Sequence, residues 1–509
     1  MKQRFPILGL LLFVSVSPAL AQFGRTNQVA TREMLVAVAD VNRDGLDDLI
    51  TGESIRLNIG GGLFGPATRL VVGHDDQVLG TLDFNGDGAP DLLVQRATYL
   101  PNPEPPNVYG KAQIILLENN GAGGFIERGP LPIDGMPFVA DFNGDGKDDL
   151  VVTHSIDKTN RVQATFYRSN WDGTFTVTDQ KEFLGFGSWS GPQTGAGVGL
   201  ARGDLNGDGH PDLVMRSDNE FVFLFGHGDG TFDQVNRFFP GPAGGGALDI
   251  VDVDGDGKLD IVFTGANERI NVMFGDGFGH FPRATTFEIP EQTFTQGGGS
   301  YAVGKFTSSQ PEIAAVTDSG TLLILSAVSG TIKITSRTPT ALYRQNIYSG
   351  VFETRGKRDL LPAGFTQPQV DWSTYEGHVF LAPVHLTTTD LQPAVAPPVR
   401  RNRAGGPRTT AEGYTVSISS DCGTYEDHWS LLREGFFYND LSPAPGRLLE
   451  AAFYDDTIHF RLTPDGTHPN VPEVRDGTIQ ETKVGTIASA DGTDACGKRV
   501  VFRVNLKKD

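Results

Sequence analysis

One acidic segment recurs along this sequence and limits what the chain can fold into. It reads DVNRDGLDDLI from residue 40, DFNGDGAPDLLV from 83, DFNGDGKDDLVV from 141, DLNGDGHPDLVM from 204 and DVDGDGKLDIVF from 252. Each copy sets acids or amides at its positions 1, 3, 5 and 9 and glycine at position 6, then runs into a β-branched or leucine-rich stretch. Two degenerate copies, KFTSSQPEIAAV from 305 and VFETRGKRDLLP from 351, keep the shape and lose most of the oxygen side chains. The seven starts lie about 52 residues apart, which suits a four-stranded blade with generous loops, and seven such units imply a closed ring.

Strand signals fall in the same order within each period. In the first, Leu35 to Ala39 leads into the acidic loop, Leu49 and Ile50 follow it, Ile55 to Ile59 alternates, and GGGLFG turns the chain into ATRLVV. A glycine-rich turn then recurs as NGAGGF, NWDGTF, GHGDGTF and GDGFGHF from residues 120, 170, 226 and 275. Such hairpins need positive φ, which accounts for a glycine content of about 13%. The stretch FGRTNQVA at 23 to 30 reads as an outer strand that completes the last blade and closes the ring by pairing the chain's two ends.

A hard cation takes six to eight oxygens, and alternate side chains of a tightly turning loop supply them. Three carboxylates gathered within a few ångström repel one another unless a counter-charge sits among them. In the second copy Gly86 and Gly88 let the backbone turn tightly and the carbonyl of Ala89 adds a ligand. Calcium fits better than magnesium, which tolerates an all-protein cage poorly. An EF-hand would carry a bidentate Glu at position 12 and an exiting helix. Here position 12 is Thr51, Val94, Val152, Met215 or Phe263, followed by strand-like sequence, so that reading fails.

With these five motifs the sequence resembles the FG-GAP or VCBS repeat family over residues 31 to 395. The resemblance implies a seven-bladed, integrin-alpha-like β-propeller with calcium in the loop between the first two strands of a blade. It carries over about five Ca2+ per chain, with ligands Asp40, Asn42, Asp44 and Asp48; Asp83, Asn85, Asp87 and Asp91; Asp141, Asn143, Asp145 and Asp149; Asp204, Asn206, Asp208 and Asp212; and Asp252, Asp254, Asp256 and Asp260. Where integrins show Gly-Ala-Pro after the second strand, this sequence has Gly52-Glu53-Ser54 or Gln95-Arg96-Ala97. It looks closer to secreted bacterial members, and integrin-style recognition does not carry over. The sixth and seventh loops hold Lys305, Thr307 and Ser309, then Val351, Glu353 and Arg355 with Asp359; we expect no metal there, with Arg355 standing in for the cation by pairing with Asp359. The bland role for the metal, stapling the loops, carries the most weight.

Residues 1 to 21 read as a signal peptide: Lys2 and Arg4, an apolar run from Ile7 to Val14, and small residues Ala19 and Ala21 before Gln22. The run is too short for a membrane-spanning helix, no later stretch reaches ~20 apolar residues, and no cysteine follows the cut to take a lipid. The expected location is secreted, extracellular or periplasmic. A net charge of −20 disfavours nucleic acid. Variable loops concentrate at the end of the propeller away from the acidic motifs, in 95–111, 154–161, 184–198, 291–301, 341–350 and 362–378. They carry Tyr99, Tyr109, Trp189, Tyr343, Arg344, Tyr348, Trp372 and Tyr375, a face suited to stacking on sugars or gripping a protein.

The function that follows is an extracellular binding or cell-adhesion module for carbohydrate or protein. The alternative is a polysaccharide lyase, or another carbohydrate-active enzyme on the same propeller, using His74, His154, Tyr343 or Arg344. No triad or HExxH pattern supports catalysis. The domains are thus the signal peptide, a propeller over 22–395, a linker rich in Pro and Arg over 396–410, and a C-terminal β-domain over 411–509 of small, sandwich-like type. Alternation at Tyr414-Val416-Ile418, Ile458-Phe460-Leu462 and Val500-Phe502-Val504-Leu506 marks its strands, and Trp429 to Phe437 reads as one helical turn. Export makes Cys422 and Cys496 a disulfide pair. The domain's role is open between binding carbohydrate, holding the protein at a surface and capping the propeller.

Overall fold

The computed structural model describes residues 27–508 except 32–34, 71–75, 97–112, 134, 157–160, 185–198, 217–219, 239–247, 265–268, 290–300, 318–320, 329, 340–342, 351–358, 366–376, 382–410, 421, 435, 442, 455–456, 469 and 481–486. The proposed signal peptide and the linker lie outside the described residues. No described helix is long and apolar enough to cross a membrane.

Seven four-stranded antiparallel sheets make up the propeller among the described residues. Strands a to d run outward in each blade. Blade 1 has Leu35–Ala39, Asp48–Thr51, Ser54–Arg56 and Thr68–Arg69, and blade 2 has Gln77–Leu82, Asp91–Arg96, Gln113–Asn119 and Phe125–Pro130. Blade 3 has Met136–Ala140, Asp149–Ser155, Arg161–Ser169 and Phe175–Leu184, and blade 4 has Leu200–Gly203, Asp212–Arg216, Glu220–Gly226 and Phe232–Phe238. Blade 5 has Leu248–Val251, Asp260–Thr264, Ile270–Phe274 and Arg283–Phe287, and blade 6 has Tyr301–Gly304, Glu312–Val316, Thr321–Val328 and Thr331–Pro339. Blade 7 takes Tyr343–Gly350, Asp359–Phe365 and Gly377–Leu381, and its outermost strand is the N-terminal Asn27–Thr31, paired antiparallel with Gly377–Leu381. Strand a of blade 7 also lies beside strand a of blade 1. The ring is therefore closed by pairing segments from the two ends of the propeller.

Burial explains why the middle strands are apolar between their ends. Asp212–Arg216, Asp260–Thr264 and Glu312–Val316 are buried at every position, because a blade's interior strands pack against a neighbouring blade on both faces. The core is accordingly a series of inter-blade clusters, such as Val36, Ile50, Val78 and Leu92 between blades 1 and 2 and Val262, Val272, Ile313 and Leu325 between blades 5 and 6. Each such side chain contributes about 1.5–3 kcal/mol on burial.

The C-terminal domain curls into a closed eight-stranded barrel, with strands Glu412–Ser420, Gly423–Glu434, Phe437–Asp440, Arg447–Tyr454, Thr457–Pro464, Glu473–Gln480, Ile487–Thr493 and Arg499–Lys508. The sandwich-like expectation becomes one sheet closed on itself, which leaves no free edge. The expected helical turn at Trp429 is absent. That segment lies in Gly423–Glu434, where alternate burial of Trp429 and Leu431 is the period of a strand. Cys422 and Cys496 form a disulfide between the hairpin turns of the first and last strand pairs, and closing that 74-residue separation contributes about 4 kcal/mol by the loop-entropy model.

The barrel caps part of the propeller. Phe436 and Phe437, both buried, join Phe221, Phe223, Phe263 and Met273 in the cluster between blades 4 and 5. Phe437 meets Phe221 and Phe223 at 5.8 and 6.3 Å between ring centroids, and Phe436 meets Phe263 at 6.0 Å. Around this plug Arg237 donates to Asn439 Oδ1 at 2.6 Å and pairs with Glu434 at 3.4 Å, while Arg461 pairs with Glu220 at 3.6 Å and lies over Phe238. These contacts fall at the blade ends remote from the acidic loops.

Candidate metal centres in the acidic loops

Each acidic segment connects strands a and b of its blade and is wrapped by its own side chains. The carboxylate at position 1 accepts N–H groups from positions 5 and 6: Asp44 N and Gly45 N reach Asp40 at 2.9 and 2.6 Å, and Asp208 N and Gly209 N reach Asp204 at 3.1 and 2.9 Å. The side chain at position 3 accepts from the N–H of position 5, as Asn85 does from Asp87 at 2.9 Å. Position 5 accepts from position 7, as Asp208 does from His210 at 2.8 Å. The wrap needs left-handed backbone at positions 4 and 6, supplied in blade 2 by Gly86 (φ 70°) and Gly88 (φ 80°). Blade 1 meets the same need with Arg43 at φ 58°, whose guanidinium pairs with Asp87 of the next loop at 2.5 Å.

Position 9 is a buried keystone. Asp260 Oδ2 accepts from Val253 N at 3.0 Å and Oδ1 from Gly275 N at 2.9 Å, joining the acidic loop to the turn between strands c and d. Asp48, Asp91, Asp149 and Asp212 repeat the arrangement with their own blades. Burial pushes the carboxyls of Asp48, Asp91, Asp149 and Asp260 up to about 7, with neighbouring acids of the same loop adding to the rise against the backbone N–H groups. Asp212 and Asp252 are raised for the same leading reason. A cation among these oxygens removes that penalty.

The loops differ in how far they gather their carboxylates. In blade 5 one oxygen from each of Asp252, Asp254 and Asp260 lies within 4.8 Å of the others, a spacing and donor set that fit a hard cation. Among the described residues only one other acid or thiol group is as tight, Cys422, Asp494 and Cys496, and its sulfurs are spent in the disulfide.

Among the described residues, basic side chains reach three of the loops. Besides Arg43 on Asp87, Lys147 pairs with Asp145 and Arg202 with Asp141 in blade 3. In blade 5 Lys258 lies 3.6 Å from Asp256 and Arg283 3.5 Å from Asp254.

The sixth loop closes by another route. It is one residue shorter, and Glu312 at its eighth position takes the keystone role, accepting from the N–H groups of Phe306, Thr307 and Ser308 and from Thr307 Oγ1. The extra methylene of Glu makes up for the missing residue. Aligning Lys305, Thr307 and Ser309 with the acidic positions passes over Glu312; a carboxylate directly before the strand IAAV is the signal that finds it. In the seventh loop 351–358 lie outside the described residues, and nothing is described for the Asp359 side chain.

Of the expected ligand face, Tyr99, Tyr109, Trp189, Trp372 and Tyr375 lie outside the described residues, as does His74. Of the stretch 341–350, read as a loop, Tyr343–Gly350 forms strand a of blade 7, with Tyr343, Arg344 and Tyr348 in it and Ile347 buried. Pairing with Asp359–Phe365 makes it a strand. His154 sits exposed in strand b of blade 3 opposite Gln163.

Residues 83–152 and 204–263 match the model of the FG-GAP-like repeat family. These stretches span the acidic loops of blades 2 and 3 and of blades 4 and 5. No curated protein matches the sequence. Among solved structures the chain is similar to an Agrocybe aegerita lectin described as specifically recognising non-reducing terminal N-acetylglucosamine, at 22% identity and a TM-score of 0.34 over 51% of this chain. The chain spans 65% of that lectin's length. It is also similar to a Burkholderia pseudomallei lectin, at 13% identity and a TM-score of 0.43 over 66% of this chain and 94% of the lectin.

Proposed function

We propose that this protein, a β-propeller carrying FG-GAP-like repeats, is exported, holds calcium in its acidic loops and serves as an extracellular binding or adhesion module for a carbohydrate or protein ligand. The observation that carries the calcium reading is the convergence of Asp252, Asp254 and Asp260 on one point in blade 5, in a loop already wrapped by its own hydrogen bonds. Bound there, calcium supplies two positive charges to carboxylates that burial and mutual repulsion otherwise penalise. Export is supported by the charged and apolar pattern of residues 1–21 and by the disulfide.

The binding reading rests on the described strands of the ring, whose ends away from the acidic motifs lead into the variable loops read from the sequence. The barrel covers blades 4 and 5 at that end, so a ligand face there belongs to the remaining blades. The test pairs a glycan array with incubation on uronate-containing polysaccharides, both with calcium present. Retention of a glycan without unsaturated product supports the module; product formation replaces it with a lyase.

A further inference from the structure

Blades 3 and 5 carry lysine at the same place in the acidic loop, position 7, and treat it differently. Lys258 of blade 5 is 44% exposed, its stem lying over Gly277 in the turn between strands c and d. Lys147 of blade 3 is 2% exposed. Its stem lies against Gly86 of the second loop, and its ammonium sits 4.0 Å from the ring centroid of Trp171 while pairing with Asp145 Oδ2. Trp171 occupies the turn position that is Gly121, Gly228 or Gly277 in the sister blades, with φ 74° against their 76°, 77° and 77°. A bulky residue in left-handed backbone is strained and persists only where its surroundings hold it there. Here the ring, 61% exposed, lies over the buried ammonium in a cation–π contact.

We propose that Lys147 is the resident cation of the third acidic loop and keeps calcium out of it. This rests on the calcium reading of the other loops. Both oxygens of Asp145 are engaged: Oδ1 accepts from Lys147 N at 3.0 Å, and Oδ2 takes Asn143 Nδ2 at 3.1 Å together with the Lys147 ammonium. Asp141, the position-1 acid, also faces Arg202 at 3.4 Å. In blade 5 the basic partners are about half exposed and lie 3.5 Å or more away, where solvent screens the attraction and lets a divalent cation displace them. Displacing Lys147 means drawing a buried ammonium out from under Trp171.

The test is equilibrium dialysis of the full chain against calcium, with Lys147→Met and Lys258→Met as variants. Methionine keeps the stem's packing and removes the charge. The expected result is that Lys147→Met gains one site, at least about tenfold tighter than any the third loop shows in the wild type, while Lys258→Met leaves the count unchanged. Calcium binding that Lys147→Met does not raise, or that Lys258→Met raises equally, overturns the proposal alone. No calcium in any of the three proteins overturns the calcium reading and the proposal with it. A measurement on the wild type stands beside these should Lys147→Met fail to fold: amine acylation read by peptide mass. Lys258 reacts and Lys147 stays protected at saturating calcium; a Lys147 that becomes reactive as calcium is added contradicts the assignment.

Discussion

The acidic loops of blades 3 and 5 are written almost alike, DFNGDGKDD and DVDGDGKLD, yet they solve the same electrostatic problem in different ways. Blade 5 draws three carboxylates within 4.8 Å and leaves its lysine in solvent over a glycine. Blade 3 buries its lysine under a tryptophan and spends a carboxylate on it. Two residues separate them: position 3 of the motif, Asn143 against Asp254, and a position outside it in the turn between strands c and d, Trp171 against Gly277. A repeat's chemistry is thus set partly by a neighbouring turn that packs on it, and a motif count overstates the number of equivalent sites.

The largest effect should come from the feature the two blades share. Asp149→Ala and Asp260→Ala each leave two buried backbone N–H groups without an acceptor, and each should cost about 2–5 kcal/mol in chelator, read by thermal or urea unfolding. Adding calcium separates them. Asp260→Ala should fall further behind the wild type, and Asp149→Ala should not; equal behaviour would dissolve the distinction between the blades.

Next in size, taken loop by loop, is the loss of the metal itself. At calcium a hundredfold above the dissociation constant, each occupied loop adds about 2.7 kcal/mol, so a chelator should lower the melting temperature well beyond the effect of ionic strength. Asp252→Ala should remove one calcium. Asp145→Asn should leave the count as it is and cost about 1–2 kcal/mol in either buffer, because it strands the ammonium of Lys147 while its partner's site is partly solvated.

Proton linkage gives a further handle. Asp48, Asp91, Asp149 and Asp260 are raised to about 7 without metal, so between pH 4 and 7 the folded chain binds more protons than the unfolded one. Calcium-free stability should therefore fall as pH rises through about 7. The gain on adding calcium should grow over the same window, since the metal takes the proton's place. A calcium-free melting temperature that climbs from pH 5 to 8 would contradict the burial of these carboxyls.

The smallest change in stability is expected from Trp171→Gly. Relief of left-handed strain, ~1–3 kcal/mol, offsets the lost cation–π contact of about 2 kcal/mol, and the melting temperature should barely move. The calcium count should nonetheless rise by one, because Lys147 is then free to swing into solvent as Lys258 does.

Much of the fold was legible because the repeat is local and periodic. Glycine at position 6, the keystone at position 9 and the apolar strand after it lie within a dozen residues, and the leftover strand before Leu35 announced the closure with Gly377–Leu381. What escaped depended on contacts across the chain. Nothing in the motif marks Lys147, because Trp171, which lies over its ammonium, is 24 positions on. Glu312 escaped because a one-residue deletion shifted it off the motif's frame. The docking of Phe436 and Phe437 escaped because two aromatics in a turn carry no record of the inter-blade groove that receives them. Trp429 was misread as helical because its alternation with Leu431 is short and lies beside a run of mixed polarity.

The measurement that bears most directly on the account is elemental analysis of the untreated protein after equilibrium dialysis against millimolar free calcium, counting the metal in excess of the dialysate. Acidic loops in five blades, less the one that Lys147 fills, should retain about four calcium ions per chain. A protein that carries none, and whose melting is indifferent to a chelator, would contradict it.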